Sequence, residues 1–136
     1  MRKIVSTTIV LTLLATPLLA QDQTFGEMAF QDRCSVCHGE SGAGDGAVGE
    51  LFSQRPGNLQ RLAAENGGDF PWERVIASID GSTGIAAHGS SEMPIWGEYL
   101  MVEALQERDI DPAQAREMVD GRILSLAFYI STLQSE

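Results

Sequence analysis

Apolar residues recur at Val119, Ile123, Leu126, Ala127, Ile130 and Leu133. They are mostly three or four positions apart, which places them on one side of an α-helix. Asp111-Pro112 just upstream offers an N-cap and a proline suited to the first turn. A helix is therefore expected from there to about Gln134, with Gly121 inside it at a cost of about 1 kcal/mol. Thr24-Phe25-Gly26-Glu27 reads as a capping box opening another helix. Phe25, Met28 and Ala29 give that helix one apolar side, and Phe30 follows Gly26 by one turn. It should run into residues 34–38. Pro71 opens a further helix, with Val75, Ile76 and Ile79 on one side and Asp80-Gly81 at its end. Shorter helices are expected over residues 59–65, stopped by Asn66-Gly67-Gly68, and over residues 99–107. No segment alternates as a half-buried strand would, and there is no internal repeat. The pattern predicts one all-α domain.

Two loops interrupt this pattern. Gly39, Gly42, Gly44, Gly46 and Gly49 form the first. Glycine at this density, directly after a cysteine pair, suits a backbone that passes close to something bulky. Arg55-Pro56-Gly57-Asn58 is a turn behind it. The second loop, GSTGIAAHGSSEMP, spans residues 81–94. A loop of that length in a small domain is usually functional.

The N-terminus has a different character. Arg2 and Lys3 precede an apolar stretch over residues 4–19, broken near its end by Pro17 and followed by Leu18-Leu19-Ala20. This is the pattern of a secretory signal peptide, with cleavage expected after Ala20. The competing reading is an uncleaved anchor, but the run is short for a span of about 20 residues. The expected division is residues 1–20 as signal and 21–136 as one domain, exported to the periplasm, with no membrane span after cleavage.

Charge narrows the choice of partners. The chain has 136 residues, 9 basic, 19 acidic and a formal charge of −10. Loss of Arg2 and Lys3 leaves seven arginines, no lysine and a formal charge of −12. Nucleic acid is excluded as a partner, since phosphate contacts need a basic face. Protein partners should offer a basic or an apolar face.

The candidate chemistry lies in RCSVCHGESGAGDG, residues 33–46, which holds both cysteines of the chain. A disulfide across Cys34-x-x-Cys37 closes a tiny loop and staples almost nothing. A redox dithiol of this spacing normally accompanies a βαβ pattern. A closed zinc site needs four ligands, and the chain offers Cys34, Cys37, His38 and His88, two of them adjacent. Cys-x-x-Cys-His also reads as a c-type haem attachment site. There two thiols bond the haem vinyl groups and the next residue ligates iron. For the sixth iron position the candidates are Met93, in the loop sequence EMPIWG, then His88 in the same loop. Met101 is expected in a helix and reads as core.

With these residues in place, the chain resembles a class I c-type cytochrome over nearly all of residues 21–136. Gly26-x-x-x-Phe30-x-x-x-Cys34-x-x-Cys37-His38 matches the family's first helix and haem motif. Met93-Pro94-Ile95-Trp96-Gly97 resembles its distal-ligand segment, and Leu126-Ala127-Phe128-Tyr129-Ile130 its last helix. The resemblance implies a small cytochrome c fold, three to five helices around one covalently bound haem c. It implies His38 and Met93 as the iron ligands. Gly26 would let the first and last helices approach, with Phe30 against Leu126 and Tyr129. A proline carbonyl, here of Pro56, would meet the free nitrogen of His38. Arg55 is either a partner for a haem propionate or a solvated arginine, and Trp96 either packs on the haem or is plain core. The implied function is one-electron transfer between redox partners and not enzymatic catalysis. A haem subunit of an exported dehydrogenase or oxidase, or a peroxidase or sensor with a labile sixth ligand, would share the same motif. The segment 98–111 is longer than in minimal family members and has no assigned role.

Overall fold

The computed structural model describes residues 24–52, 55–82, 93–107 and 110–135. Among them there are five α-helices and no strands: α1 (Phe25–Arg33), α2 (Ser35–His38), α3 (Trp72–Asp80), α4 (Trp96–Gln106) and α5 (Pro112–Thr132). The protein is all-α. None of these helices is long and apolar enough to cross a membrane. The residues of the expected signal, 1–20, lie outside the described part.

Local chemistry accounts for the helix ends. The Thr24 hydroxyl accepts from the Glu27 amide at 3.1 Å, the forward arm of the expected capping box. At α5 the box is complete: Asp111 accepts from the Ala113 and Gln114 amides, and the Gln114 side chain accepts from the Asp111 amide. Such caps satisfy amides that have no partner within the helix. Gly81, at φ 75°, ends α3 in the left-handed conformation.

Three boundaries differ from the sequence reading. The first helix does not run unbroken into residues 34–38. Cys34 relaxes to φ −104°, ψ −35°, and four residues of α2 follow. Residues 59–65 are not one α-helix but two 3-10 turns, Leu59–Arg61 and Ala64–Asn66. Helix α4 begins at Trp96, three residues earlier than expected.

Helix α5 is the centre of the packing and meets α1, α3 and α4. Val119, Ile123, Leu126, Ala127 and Ile130 on α5 are buried, as their spacing predicted, together with Phe30 of α1, Val75 and Ile79 of α3, and Leu100 and Ala104 of α4. Helices α1 and α5 approach so closely at Gly26 that a Cβ there would fall on the backbone carbonyl of Ser125. Phe30 then stacks at a tilt on Tyr129, ring centres 5.3 Å apart. Arg33 joins α1 to α4 through Glu103 at 2.9 Å, and Arg122 of α5 reaches the same carboxylate at 3.8 Å.

The chain after α5 closes the far side. Gln134 donates to the Leu59 carbonyl at 2.7 Å and accepts from the Ala63 amide at 2.9 Å. The Ser135 amide donates to the Gln60 carbonyl at 2.9 Å. The two 3-10 turns are thereby held against the end of α5.

Candidate functional site

Between α3, the start of α4, α5 and the 3-10 turns lies a cavity of about 280 Å³. Its wall includes Phe30, Leu59, Leu62, Val75, Ile79, Leu126 and Ile130, with Cys34, His38, Met93 and Trp96 among them. The sequence reading singled out four site residues, and three of them line this one space. Cys37 is half-buried and is not part of the lining. His88 lies outside the described residues. Met101 packs against the core, as expected.

Helix α2 sets the position of His38. The amides of Cys37 and His38 both donate to the Cys34 carbonyl, at 3.1 and 2.8 Å. One helical turn therefore separates Cys34 from His38, and both reach the same cavity. His38 is 8% exposed and is the one buried polar residue among those described. Its Nδ1 lies 3.3 Å from the Gly57 carbonyl oxygen. A carbonyl can only accept, so Nδ1 is the donor, and in the neutral ring the lone pair then falls to Nε2. Such a bond fixes ring orientation and raises the basicity of the other nitrogen. The oxygen meeting Nδ1 at this distance belongs to Gly57, one residue beyond the proline expected from the resemblance.

The glycine loop holds this turn in place. Gly39, Gly42 and Gly44 take φ of 80° to 85°, the left-handed region that other residues rarely enter. Gly46 keeps φ in the ordinary range, yet a Cβ there would come within 2.6 Å of the Val36 and Cys37 carbonyl oxygens. The Gly44 amide donates to the His38 carbonyl at 2.7 Å, and the Val48 amide to that of Val36 at 3.0 Å. The backbone of the loop thus wraps the turn that carries Cys37 and His38.

The electrostatics bear on the competing readings. The Cys34 thiol is pushed up to about 11 by burial, offset only in part by Arg33. Reactive dithiols work in the opposite direction, through a depressed pKa. Among the described residues no three His, Cys, Asp or Glu side chains converge as a metal site.

The cavity also contains a cation that the sequence did not single out. Arg74, on α3, lines it beside Ser78 and Glu65. Arg33, Arg55, Arg61, Arg116 and Arg122 all have carboxylate partners. Arg74 has no ion pair among the described residues. Arg55 matches the solvated reading instead: its side chain is 71% exposed, 3.9 Å from Glu50, and outside the lining. Trp96 is part of the wall, with the Arg33 guanidinium 6.0 Å from its ring centre. Periodicity could not have found Arg74, because it sits on the polar side of α3. Only the fold brings that side to the cavity mouth.

No protein-family model, no curated protein and no solved structure matches this chain. The reading of the site therefore rests on its residues and their arrangement.

Proposed function

We propose that the protein is an exported class I c-type cytochrome that carries single electrons. The observation that carries this reading is the meeting of Cys34, His38 and Met93 on one apolar cavity, with His38 oriented by the Gly57 carbonyl. A histidine held only as core would need neither a cysteine one turn away nor a thioether lining the same cavity.

Haem, when bound, supplies an iron that exchanges one electron at a time. The thiols of Cys34 and Cys37 would each add across one vinyl group, the sulfur bonding to one carbon and the thiol hydrogen going to the other. Nε2 of His38, which bears the lone pair in the neutral ring with Nδ1 as donor, would be the ligating nitrogen. Met93 would supply a thioether sulfur as the second ligand, which would raise the potential relative to an all-nitrogen ligand set. If His38 and Met93 both served as ligands, no open position would remain for oxygen or peroxide, and that would favour a carrier over a peroxidase or sensor. The largely apolar wall would limit water around the group, and Arg74, which lines the same cavity, would pair with a propionate carboxylate. Export to the periplasm rests on the pattern of residues 1–20.

The decisive experiment is haem staining of denaturing gels. Wild type should stain, and the Cys34→Ala/Cys37→Ala double variant should not; undiminished staining of that variant overturns the reading. Met93→Ala should retain stain, lower the midpoint potential and let carbon monoxide bind the ferrous protein. Equal binding by wild type would mean that Met93 is not a ligand and would favour a sensor or peroxidase.

A further inference from the structure

We propose that the outward face of α4 is the docking surface for a redox partner whose own face is apolar and rimmed by lysine or arginine. The proposal deepens the electron-carrier reading and rests on it. Ile95, the N-cap residue just before the helix, precedes Tyr99 and Val102, which lie three positions apart on one side of it, with Leu105 on its shoulder. They are 47%, 60%, 57% and 47% exposed. The helix already buries Gly97, Leu100 and Ala104 on its opposite side. Ile95 lies against Gly81 at the end of α3, but packing of the fold does not account for the exposed Tyr99, Val102 and Leu105. A contiguous apolar stripe on an otherwise acidic protein marks an interaction site.

Position favours a redox role for this stripe. Trp96 is the first residue of α4 and part of the cavity wall. Its ring lies 5.8 Å from that of Tyr99, which stands at the surface. Met93, three residues before Trp96, lines the same cavity. The stripe is thus the outer end of a packed path that starts at the candidate site. A second apolar surface, formed by Phe25, Trp72, Leu124 and Phe128, shares no residue with the cavity wall. It does not offer that path.

Charge selects the occupant. Glu98 and Glu107 are exposed beside the stripe, while Glu103 is engaged by Arg33 and Arg122. A second copy would set these carboxylates against their equivalents, on top of a formal charge of −10 per chain. Like charges across an interface oppose association, whereas a cationic rim is attracted. The complementary partner is therefore a protein with an apolar centre and a basic border.

The probe is a gold electrode coated with a mixed monolayer of methyl- and ammonium-terminated thiols, with the purified holoprotein in voltammetry. Wild type should adsorb and exchange electrons. Tyr99→Ser and Val102→Asp should each lower adsorption about tenfold, as loss of one buried apolar side chain from an interface does. Val102→Asp adds negative charge, so a loss of adsorption on a cationic surface identifies apolar contact. Phe128→Asp should behave as wild type. The docking proposal is overturned if Phe128→Asp alone loses adsorption, or if an ammonium-only monolayer serves wild type equally well. It is also overturned if sedimentation finds a wild-type dimer that Val102→Asp dissolves, since a second copy would then be the occupant. A chain that takes up no haem in any variant instead refutes the cytochrome reading itself, and haem staining tells the two failures apart.

Discussion

The α1–α5 crossing and the loop over residues 39–49 both depend on glycine, and they do so for different reasons. At the crossing, Gly26 has nothing unusual in its backbone. Its hydrogen takes the place of a Cβ that would overlap the Ser125 carbonyl. In the loop, Gly39, Gly42 and Gly44 are required by their left-handed φ. Gly46 and Gly49 bring the loop backbone onto Cys37, each leaving a Cβ position 2.6 Å from its carbonyl oxygen. One region uses glycine to pack two helices, the other to mould a backbone around the segment that would hold the cofactor. The same residue type thus serves stability in one place and site geometry in the other.

Substitutions can separate these two uses. Gly26→Ala should have the largest effect on stability, about 1–3 kcal/mol, the usual cost of forcing atoms into a packed contact. Denaturant unfolding would measure it, and the optical spectrum of the folded fraction should stay that of wild type. Gly46→Ala should cost less, about 1 kcal/mol, because its Cβ would stop 2.5 Å from the nearest backbone atom against 2.0 Å at Gly26. Its main effect should appear at the site, as a shift in the haem spectrum or the midpoint potential. If Gly46→Ala destabilises as much as Gly26→Ala and leaves the spectrum unchanged, the loop is ordinary packing and the contrast fails. Gly121 supplies the opposite sign. It lies in α5 with nothing within 4 Å of a would-be Cβ. Gly121→Ala should therefore raise stability by up to about 1 kcal/mol, through helix propensity alone. A loss there would mean that the outer side of α5 is covered in the working protein.

What could be read from the sequence follows the same division. The buried side of α5 was legible because helix periodicity alone fixes it. The motif spacing of Cys34 and His38, and the setting of Met93 beside a proline in a long loop, led to the expectation of one shared site, and all three do line one cavity. The short turns at residues 59–66 were not. Their backbone is decided by the Asn58 cap, by Gly67 in its left-handed conformation, and by the tie to Gln134, seventy-odd positions away. Gly57 and Arg74 escaped for a related reason. Which carbonyl meets His38, and which side of α3 faces the cavity, depend on how distant segments come together. No local pattern carries that information. The early start of α4 was missed because Trp96-Gly97 read as a loop ending, whereas Gly97 is buried against Asp80 of α3.

The tie between Gln134 and the 3-10 turns sets an order of events. Leu59 and Leu62 help wall the cavity, and Gln134 ties the Leu59 carbonyl and the Ala63 amide on either side of Leu62. The cysteine pair leads Gln134 by roughly a hundred positions, or about 5–20 s at ordinary rates of synthesis. In any passage that starts with the N-terminus, the thiols emerge before their enclosure can be locked. Any group that entered the cavity before Gln134 arrived would meet Cys34 and Cys37 on an open chain, and the Gln134 tie would close the wall behind it.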